Sequence, residues 1–279
     1  MDKAVVKAFK LMEILTESEM PLGVTALAAR ADLGKSNVHR LLQTLHGMDY
    51  VRKTPDNSYE ATLKVWELGS YVVARLSVRD QARPVMRLLS EMTRETIHLS
   101  ELVGTDVLYI DKIESTEPVR AYTQLGGRGP ALCTATGKSI LAFSDVEQVT
   151  ACLENAQAFT PKSITNAERL SAEIQQIRTQ RYAINRGEWS AEIIGIASPI
   201  FGERGQVIGA VGVSAPASRM QIEELITLAP KLVEHAERLS LSMGCSAQQW
   251  SMAGMSMPAY GSSSNTSKQD SELADSMND

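Results

Sequence analysis

The sequence predicts an α+β fold, because helical and strand-like patterns occupy different parts of the chain. Residues 5–48 repeat apolar side chains at the spacing of helices, whereas much of 99–214 follows the two-residue period of strands. Helical patterns return between these strands and again at 220–243. The chain has 279 residues, 43% of them hydrophobic, which is enough for one large domain or two ordinary ones.

Charge is distributed unevenly along the chain. The formal net charge is −5, which argues against a uniformly basic nucleic-acid binder. Residues 1–64 contain nine Lys and Arg against eight Asp and Glu, residues 65–245 eighteen against twenty-one, and the remainder one against four. Only the N-terminal region is therefore not acidic.

Cysteine usage and hydropathy exclude several classes of protein. Cys133, Cys152 and Cys245 are widely spaced and form no CxxC pair, so neither a disulfide framework nor a zinc site is indicated. The N-terminus lacks the apolar core of a signal peptide, and no run approaches the roughly 18 apolar residues of a membrane span. We expect a soluble cytoplasmic protein with no membrane partner, metal or cofactor.

Two helices joined by a short turn are predicted in the N-terminal region. Thr25 is expected to cap a helix over 26–31, which ends at the turn Asp32-Leu33-Gly34. Ser36 is expected to cap the next helix, which extends to about Met48. Four apolar residues share one face of that helix at spacings i, i+3, i+4 and i+7: Val38, Leu41, Leu42 and Leu45. This arrangement is a helix-turn-helix.

The opposite face of the second helix is polar and suits contact with DNA. We predict that Ser36, Asn37 and Arg40 contact bases, because Arg is suited to bidentate bonds with guanine. Lys35, Gln43 and Thr44 are predicted to contact phosphates. A helix-turn-helix can also serve protein–protein contacts, and this alternative stays open here.

A β-hairpin is predicted directly after the second helix. Two short extended runs, 50–53 and 59–61, flank the turn-forming residues Pro55-Asp56-Asn57. We call this hairpin the wing, because a hairpin in this place can reach the DNA backbone or minor groove. Arg52 and Lys53 are its predicted DNA contacts; the alternative is an ordinary solvated hairpin with two surface charges.

The patterns divide the chain into four segments. We predict a winged helix-turn-helix domain over 1–64, a linker helix over 65–79, an α+β domain over 80–245 and a disordered tail over 246–279. The predicted strands of the third segment are 99–103, 107–113, 119–123, 182–185, 193–201 and 207–214. Its predicted helices are 78–96, one capped by Asp145, one capped by Asn166, and 220–243, which Pro230 should kink or restart.

A Gly-rich loop over 126–130 runs into a predicted helix start that includes Gly137-Lys138-Ser139. Such a loop could hold a small anion. It is not a nucleotide-binding P-loop, because that motif needs glycine where Leu132 stands.

Signs of catalysis are weak. The sequence has no G-x-S-x-G or HExxH motif. Cys133 could be a nucleophile, but a lone cysteine is more often a small buried hydrophobe. Glu188 and Glu192 fall near the candidate pocket without an obvious partner. An enzyme that uses the Gly126 to Ser139 loop, with the N-terminal domain as a docking module, is the alternative function; an assembly adaptor without a ligand is a third.

Three segments together resemble the IclR family of bacterial transcription regulators. They are residues 32–45, residues 125–142, and residues 196–200 with 211–216. The resemblance extends from about Val5 to Gly244. It implies a GAF/PAS-like effector-binding domain, and homodimers or homotetramers that bind double-stranded DNA operators of twofold symmetry. We therefore predict a ligand-responsive DNA-binding regulator that is not an enzyme.

The resemblance also implies a pocket for a small organic acid or aromatic effector. Carried over by motif, its residues here are Ala121, Gly129, Ala135, Thr136, Asn185, Gly195, Gly212 and Ser214. In glyoxylate- and pyruvate-responsive relatives, acid, thiol and hydroxyl groups stand at the places of Asn185, Gly195 and Gly212. A roomier, less polar pocket is expected here, which favours a larger, aromatic carboxylate.

Overall fold

The computed structural model describes residues 2–73, 77–121 and 123–253. The chain divides into two compact units between Leu76 and Ser77, inside the predicted linker. Within the described ranges, no helix is both long enough and apolar enough to cross a membrane.

The first unit is a three-helix domain with a hairpin and a further helix. Its elements are α1 (Lys3–Glu17), α2 (Val24–Ala31), α3 (Lys35–Gly47), β1 (Val51–Lys53), β2 (Tyr59–Ala61) and α4 (Lys64–Val73). The strands β1 and β2 pair antiparallel and form the predicted wing, and Leu22 bridges to Tyr59 beside them. Its core is formed by α1, α2, α3 and the wing, with Leu11, Leu27, Val38 and Leu42 fully buried.

The helix-turn-helix was predicted, but its capping residues were not. The N-caps of α2 and α3 are Gly23 and Gly34, so Thr25 and Ser36 lie inside their helices and the two predicted caps are wrong. The backbone explains the earlier starts, because the Val38 N–H already bonds to the Gly34 carbonyl at 3.1 Å. The turn between the helices begins at Asp32, whose φ of 55° is left-handed.

The second unit contains one antiparallel sheet in the order β5-β4-β3-β8-β7-β6. Its strands are β3 (Thr96–Val103), β4 (Asp106–Ile113), β5 (Arg128–Pro130), β6 (Ala183–Asn185), β7 (Ile193–Phe201) and β8 (Val207–Pro216). Its helices are α5 (Ser77–Thr93), α6 (Ala135–Leu141), α7 (Val146–Glu154), α8 (Ala167–Gln180), α9 (Ile222–Ser242) and α10 (Ala247–Met252), with a 3₁₀ turn at Ala131–Cys133. The predicted Asp145 and Asn166 caps are confirmed.

One predicted strand of this unit is wrong, and one of the two effects predicted for Pro230, a restart of the last helix, does not occur. Residues 119–121 and 123 form no strand, and Val119 is exposed, so its apolar side chain does not mark a buried strand. β4 pairs with β3 on one side, and the strand on its other side is β5, which comes from the predicted Gly-rich loop. Pro230 does not restart the last helix, because α9 continues through it. Burial of Leu225, Ala229 and Leu232 on α9 stabilises the helix despite the missing N–H.

The predicted disordered tail begins too early. Ser246 and Gln249 form a capping box that starts α10. Trp250 of this helix is buried against Phe201, with ring centroids 5.4 Å apart, and the Arg181 guanidinium lies over its ring. Residues 246–253 are thus part of the folded unit, while 254–279 lie outside the described residues.

Candidate functional site

The recognition helix α3 exposes the polar face that the sequence predicted. Val38, Leu41, Leu42 and Leu45 are buried, as expected from their spacing. The predicted DNA contacts of this helix are on the other side: Lys35, Ser36, Arg40, Gln43 and Thr44 are exposed, and Asn37 is half-buried. The helix therefore presents a continuous hydrogen-bonding surface to solvent.

Most of these side chains form no hydrogen bond or ion pair with the described residues. Neither Lys35 nor Arg40 has an ion-pair partner among the described residues. Thr44 differs, because its hydroxyl donates to the Arg40 carbonyl at 3.2 Å. The Thr44 hydroxyl would have to rotate before it could donate to a phosphate.

The wing carries one paired and one unpaired cation. Arg52 lies opposite Glu60 in the hairpin register, and its Nε is 2.5 Å from Glu60 Oε1. Lys53 is exposed and has no ion-pair partner in the part of the chain that the structure describes. His46 Nδ1 lies 3.0 Å from the Val51 carbonyl oxygen and so links α3 to the wing.

The second unit contains a cavity of about 400 Å³. Its walls come from β3, β4, β7, β8, the first turn of α6, the described residues 120, 121 and 123, and the segment 185–190. Six of the eight predicted pocket residues line it: Ala121, Ala135, Thr136, Asn185, Gly212 and Ser214. The sheet assembles these walls, because His98 on β3 pairs directly with Gly212 on β8.

Gly129 and Gly195 are not among the residues that line the cavity, but each packs against a lining residue. A Cβ built on Gly129 would lie 2.8 Å from Cζ3 of Trp189, and one on Gly195 would lie 2.7 Å from the Val213 carbonyl oxygen. Contacts this close leave no room for a side chain. These glycines therefore allow wall residues to pack closely.

Several lining residues were missed by the sequence prediction. Ten additional residues border the cavity: His98, Tyr109, Arg120, Thr123, Thr134, Trp189, Ser190, Ile193, Ile196 and Val213. Polar–apolar alternation along β3 could have indicated His98, since it lies between buried Ile97 and Leu99. Trp189 lies in a loop, where no periodicity operates.

The aromatic side of the cavity is electrically neutral. The rings of His98 and Tyr109 are 4.9 Å apart, and His98 Nε2 is 2.6 Å from Thr123 Oγ1. Burial, aided by the charge of Lys112, lowers the pKa of His98 to about 4, and burial raises the pKa of Tyr109 to about 12. Arg120 is consequently the one cationic side chain among the described lining residues.

A buried ion pair lies beside the cavity. Lys138 donates through Nζ to Glu173 Oε1 at 2.8 Å, Glu188 Oε1 at 2.8 Å and the Ile184 carbonyl at 2.6 Å. Glu188, which has no obvious partner in the sequence, is thus paired with Lys138. All three ammonium donors are used within the fold, so Lys138 has no donor left for an anion.

The cysteines do not form a reactive centre. Cys133, Cys152 and Cys245 are buried and unpaired, and burial raises the pKa of the Cys133 thiol. A raised thiol pKa disfavours the thiolate that nucleophilic attack needs. Within residues 2–73, 77–121 and 123–253, no cluster of three His, Cys, Asp or Glu side chains could hold a metal ion.

The first unit is a helix-turn-helix whose polar face is exposed, and the second unit contains a cavity; this combination is compatible with a DNA-binding regulator. Comparison with protein families agrees: residues 4–55 match the IclR helix-turn-helix domain, and residues 70–241 match the bacterial transcriptional regulator IclR C-terminal domain. The chain belongs to the IclR family. It is a DNA-binding transcription regulator and not an enzyme.

Similar proteins cover nearly the whole described chain. The HTH-type transcriptional regulator KdgR of Escherichia coli K12 is 35% identical over 244 residues, which are 86% of this chain and 92% of KdgR. The crystal structure of Thermotoga maritima IclR is 29% identical with a TM-score of 0.72, covering 86% of this chain and 98% of that one. An IclR homologue from Microbacterium hydrocarbonoxydans complexed with 4-hydroxybenzoate shares the fold, with 21% identity, a TM-score of 0.75, and coverage of 86% and 100%.

Proposed function

We propose that this protein regulates transcription in the cytoplasm in response to a small aromatic carboxylate that binds in the cavity of its second unit. The observation that carries the proposal is that aromatic side chains and one cationic side chain, Arg120, occur together among the described residues that line the cavity. Its volume of about 400 Å³ suits a small ligand. The proposed contacts are the six predicted residues that line the cavity, together with Tyr109, Arg120 and Trp189.

Arg120 is the proposed partner of the ligand carboxylate. His98 is neutral above its lowered pKa, so Arg120 supplies the positive charge of the cavity. Its Nη2 is 3.8 Å from Glu114 Oε2, and both side chains are partly exposed. Exposed ion pairs are weak, so a ligand carboxylate can compete with Glu114. The Microbacterium homologue, which carries an aromatic acid in the same fold, supports this ligand class.

The first unit is proposed to bind DNA through α3 and the wing. Ser36, Asn37 and Arg40 contact base edges in the major groove; Ser36 and Arg40 are exposed, and the half-buried Asn37 lies between them in the same helix. Lys35, Gln43, Thr44, Arg52 and Lys53 contact the backbone. Residues 1–64 have nine basic against eight acidic side chains, so sequence-independent attraction to DNA is modest. Two copies on a twofold operator would supply the remaining affinity.

A second copy of the chain is proposed to cover α4. Leu63, Trp66 and Tyr71 at this helix are 81%, 70% and 61% exposed, and among the described residues none of α4 belongs to the core of its unit. A helix of ten residues is marginally stable without packing. Trp66→Glu should therefore yield monomers in light scattering, whereas Lys10→Glu on α1 should not. Monomers in the unchanged protein, or unchanged dimers or tetramers in Trp66→Glu, would contradict this interface.

The ligand proposal is tested by thermal shift and operator binding. Benzoate, 4-hydroxybenzoate, pyruvate and uncharged benzamide are compared; a ligand at 100 times its Kd should add about 2.7 kcal/mol to stability. The aromatic acids should stabilise the protein more than pyruvate or benzamide do. They should also change its affinity for an operator selected from random duplexes, and be recovered chemically unchanged.

Arg120→Ala should remove the advantage of benzoate over benzamide, because only the acid can pair with the guanidinium. Arg204→Ala is the matched control, since Arg204 is exposed in the turn between β7 and β8. Equal stabilisation by benzoate and benzamide in the unchanged protein would refute a carboxylate effector. Stabilisation without any effect on operator binding would refute its regulatory role.

A further inference from the structure

We propose that Trp189 makes the cavity selective for flat aromatic ligands, and that Gly129 and the Lys138–Glu188 ion pair position its ring. This inference rests on the proposed ligand-binding function of the cavity. It gives Trp189, one of the proposed ligand contacts, a role in selectivity, and it assigns a role to two features that the proposed function does not use: Gly129 and the buried Lys138.

The indole ring of Trp189, which belongs to a loop, packs against Gly129 of strand β5. Its side chain borders the cavity and is 38% exposed, so one part of the indole faces the cavity or solvent. A Cβ built on Gly129 would be 2.8 Å from Cζ3 and 3.3 Å from Cη2 of the indole. The benzene edge of the ring therefore rests on the Gly129 backbone, which β5 holds against Val107 of β4. Any larger residue at 129 would push the ring away.

The loop before Trp189 is held by its own hydrogen bonds. Asn185 Oδ1 accepts from the Gly187 N–H at 2.9 Å and the Glu188 N–H at 3.1 Å. Ser163 Oγ donates to the Glu188 carbonyl at 2.7 Å. The backbone that precedes Trp189 is thus bonded on both its donor and acceptor sides.

The buried ion pair between Lys138 and Glu188 also holds this loop in place. Glu188 accepts from Lys138 Nζ through Oε1 at 2.8 Å and from the Arg186 N–H through Oε2 at 2.5 Å. Lys138 is 1% exposed, and α6, which carries it, also supplies Thr136 to the cavity wall. The ion pair therefore connects two walls of the cavity. A ring held this way loses little further freedom when a ligand binds.

A fixed indole discriminates by shape and electronic character. A planar aromatic acid can lie against the indole or against the ring of Tyr109, which lines the same cavity, in offset or edge-to-face geometry. Cyclohexanecarboxylate has the same carbon number and charge as benzoate but is thicker and has no π system. By the usual strength of aromatic pairs, Trp189 should give benzoate an advantage of roughly 3- to 10-fold over the saturated acid.

The test is calorimetric titration of the full-length protein with benzoate and with cyclohexanecarboxylate. Trp189→Leu should reduce the affinity ratio by roughly 3- to 10-fold, and Trp189→Phe should retain most of it, because a phenyl ring can still stack. The matched control is Phe159→Leu, which removes an aromatic side chain of similar exposure that does not border this cavity. Ligand-induced quenching of tryptophan fluorescence should disappear in Trp189→Phe and persist in Phe159→Leu.

Gly129→Ala tests whether Gly129 positions the indole ring of Trp189. It should lower the same ratio in the unchanged background but have no further effect in Trp189→Leu, because Gly129 acts through the indole. A ratio unchanged by Trp189→Leu would overturn the role of Trp189 while leaving the proposed function intact. An equal effect of Gly129→Ala in both backgrounds would overturn the positioning role of Gly129. Binding of neither acid would overturn this inference together with the proposed ligand class.

Discussion

The recognition helix and the cavity use polar residues in opposite ways. On α3, Lys35 and Arg40 are exposed and have no ion-pair partner among the described residues. Beside the cavity, Lys138 is buried and donates to three acceptors of the same fold. A side chain of the first kind can be changed without loss of stability, whereas one of the second kind cannot. Specificity for DNA should therefore change more easily than specificity for the ligand.

The largest expected effect tests the buried side of this comparison. Lys138→Ala leaves the buried Glu188 carboxylate without its cation and Glu173 with Arg186 alone, which should cost about 3 to 5 kcal/mol of unfolding free energy. Denaturant unfolding measures this loss. Lys231→Ala, which removes an exposed lysine paired with Glu234, should change stability by under about 0.5 kcal/mol. Equal losses in the two variants would abolish the distinction.

The next effect is a pH dependence caused by His98. Burial lowers the pKa of His98 from 6.5 to about 4, so the unfolded chain binds a proton at a higher pH than the folded chain. Stability contributed by neutral His98 is complete above pH 6.5 and is lost as the pH falls toward 4. The full loss corresponds to roughly 3 kcal/mol of unfolding free energy. In unfolding titrations His98→Gln should show a flatter pH profile over this range; a profile parallel to the unchanged protein would count against the burial argument.

Arg40→Ala tests the exposed side of the comparison. Loss of a bidentate guanine contact should weaken operator binding by about 1 to 3 kcal/mol and relax specificity at one base pair. The midpoint of thermal unfolding should stay the same, because Arg40 forms no ion pair with any of the described residues. Gel-shift titration measures the affinity, with Arg204→Ala as a control for loss of one positive charge. Unchanged operator affinity would show that Arg40 does not contact bases.

The smallest effect separates the two cations of the wing. Lys53→Ala should weaken binding to all DNA sequences similarly and reduce the salt slope by about 0.9. Arg52→Ala should change the slope less, because Glu60 already pairs with Arg52 in the free protein. DNA-binding affinity measured at several salt concentrations gives the salt slope of each variant and shows which cation contributes more to it. A larger change for Arg52 would mean that DNA displaces Glu60 completely.

Local patterns explain why the first unit was easier to predict than the second. The buried face of α3 follows from spacing within one helix, so its opposite face followed as well. The two capping errors at Thr25 and Ser36 arose because Gly23 and Gly34 begin the helices through backbone bonds, which the side-chain pattern does not reveal.

The cavity depends on contacts between distant parts of the chain. His98 and Gly212 are neighbours because β3 pairs with β8, and no local pattern specifies that pairing. The family resemblance supplied six of the lining residues, and the other two positions it supplied, Gly129 and Gly195, contact lining residues without lining the cavity themselves. The resemblance also omitted Trp189. Its position depends on a loop that Lys138 of α6 holds through Glu188.

The short helix α10 has a practical consequence for handling the protein. It begins after the matched family domain ends at residue 241, so trimming the chain to that domain would remove Trp250. Trimming would uncover Phe201, and newly exposed aromatic surface promotes aggregation. An affinity tag is therefore better attached beyond residue 253, where it leaves this aromatic contact intact.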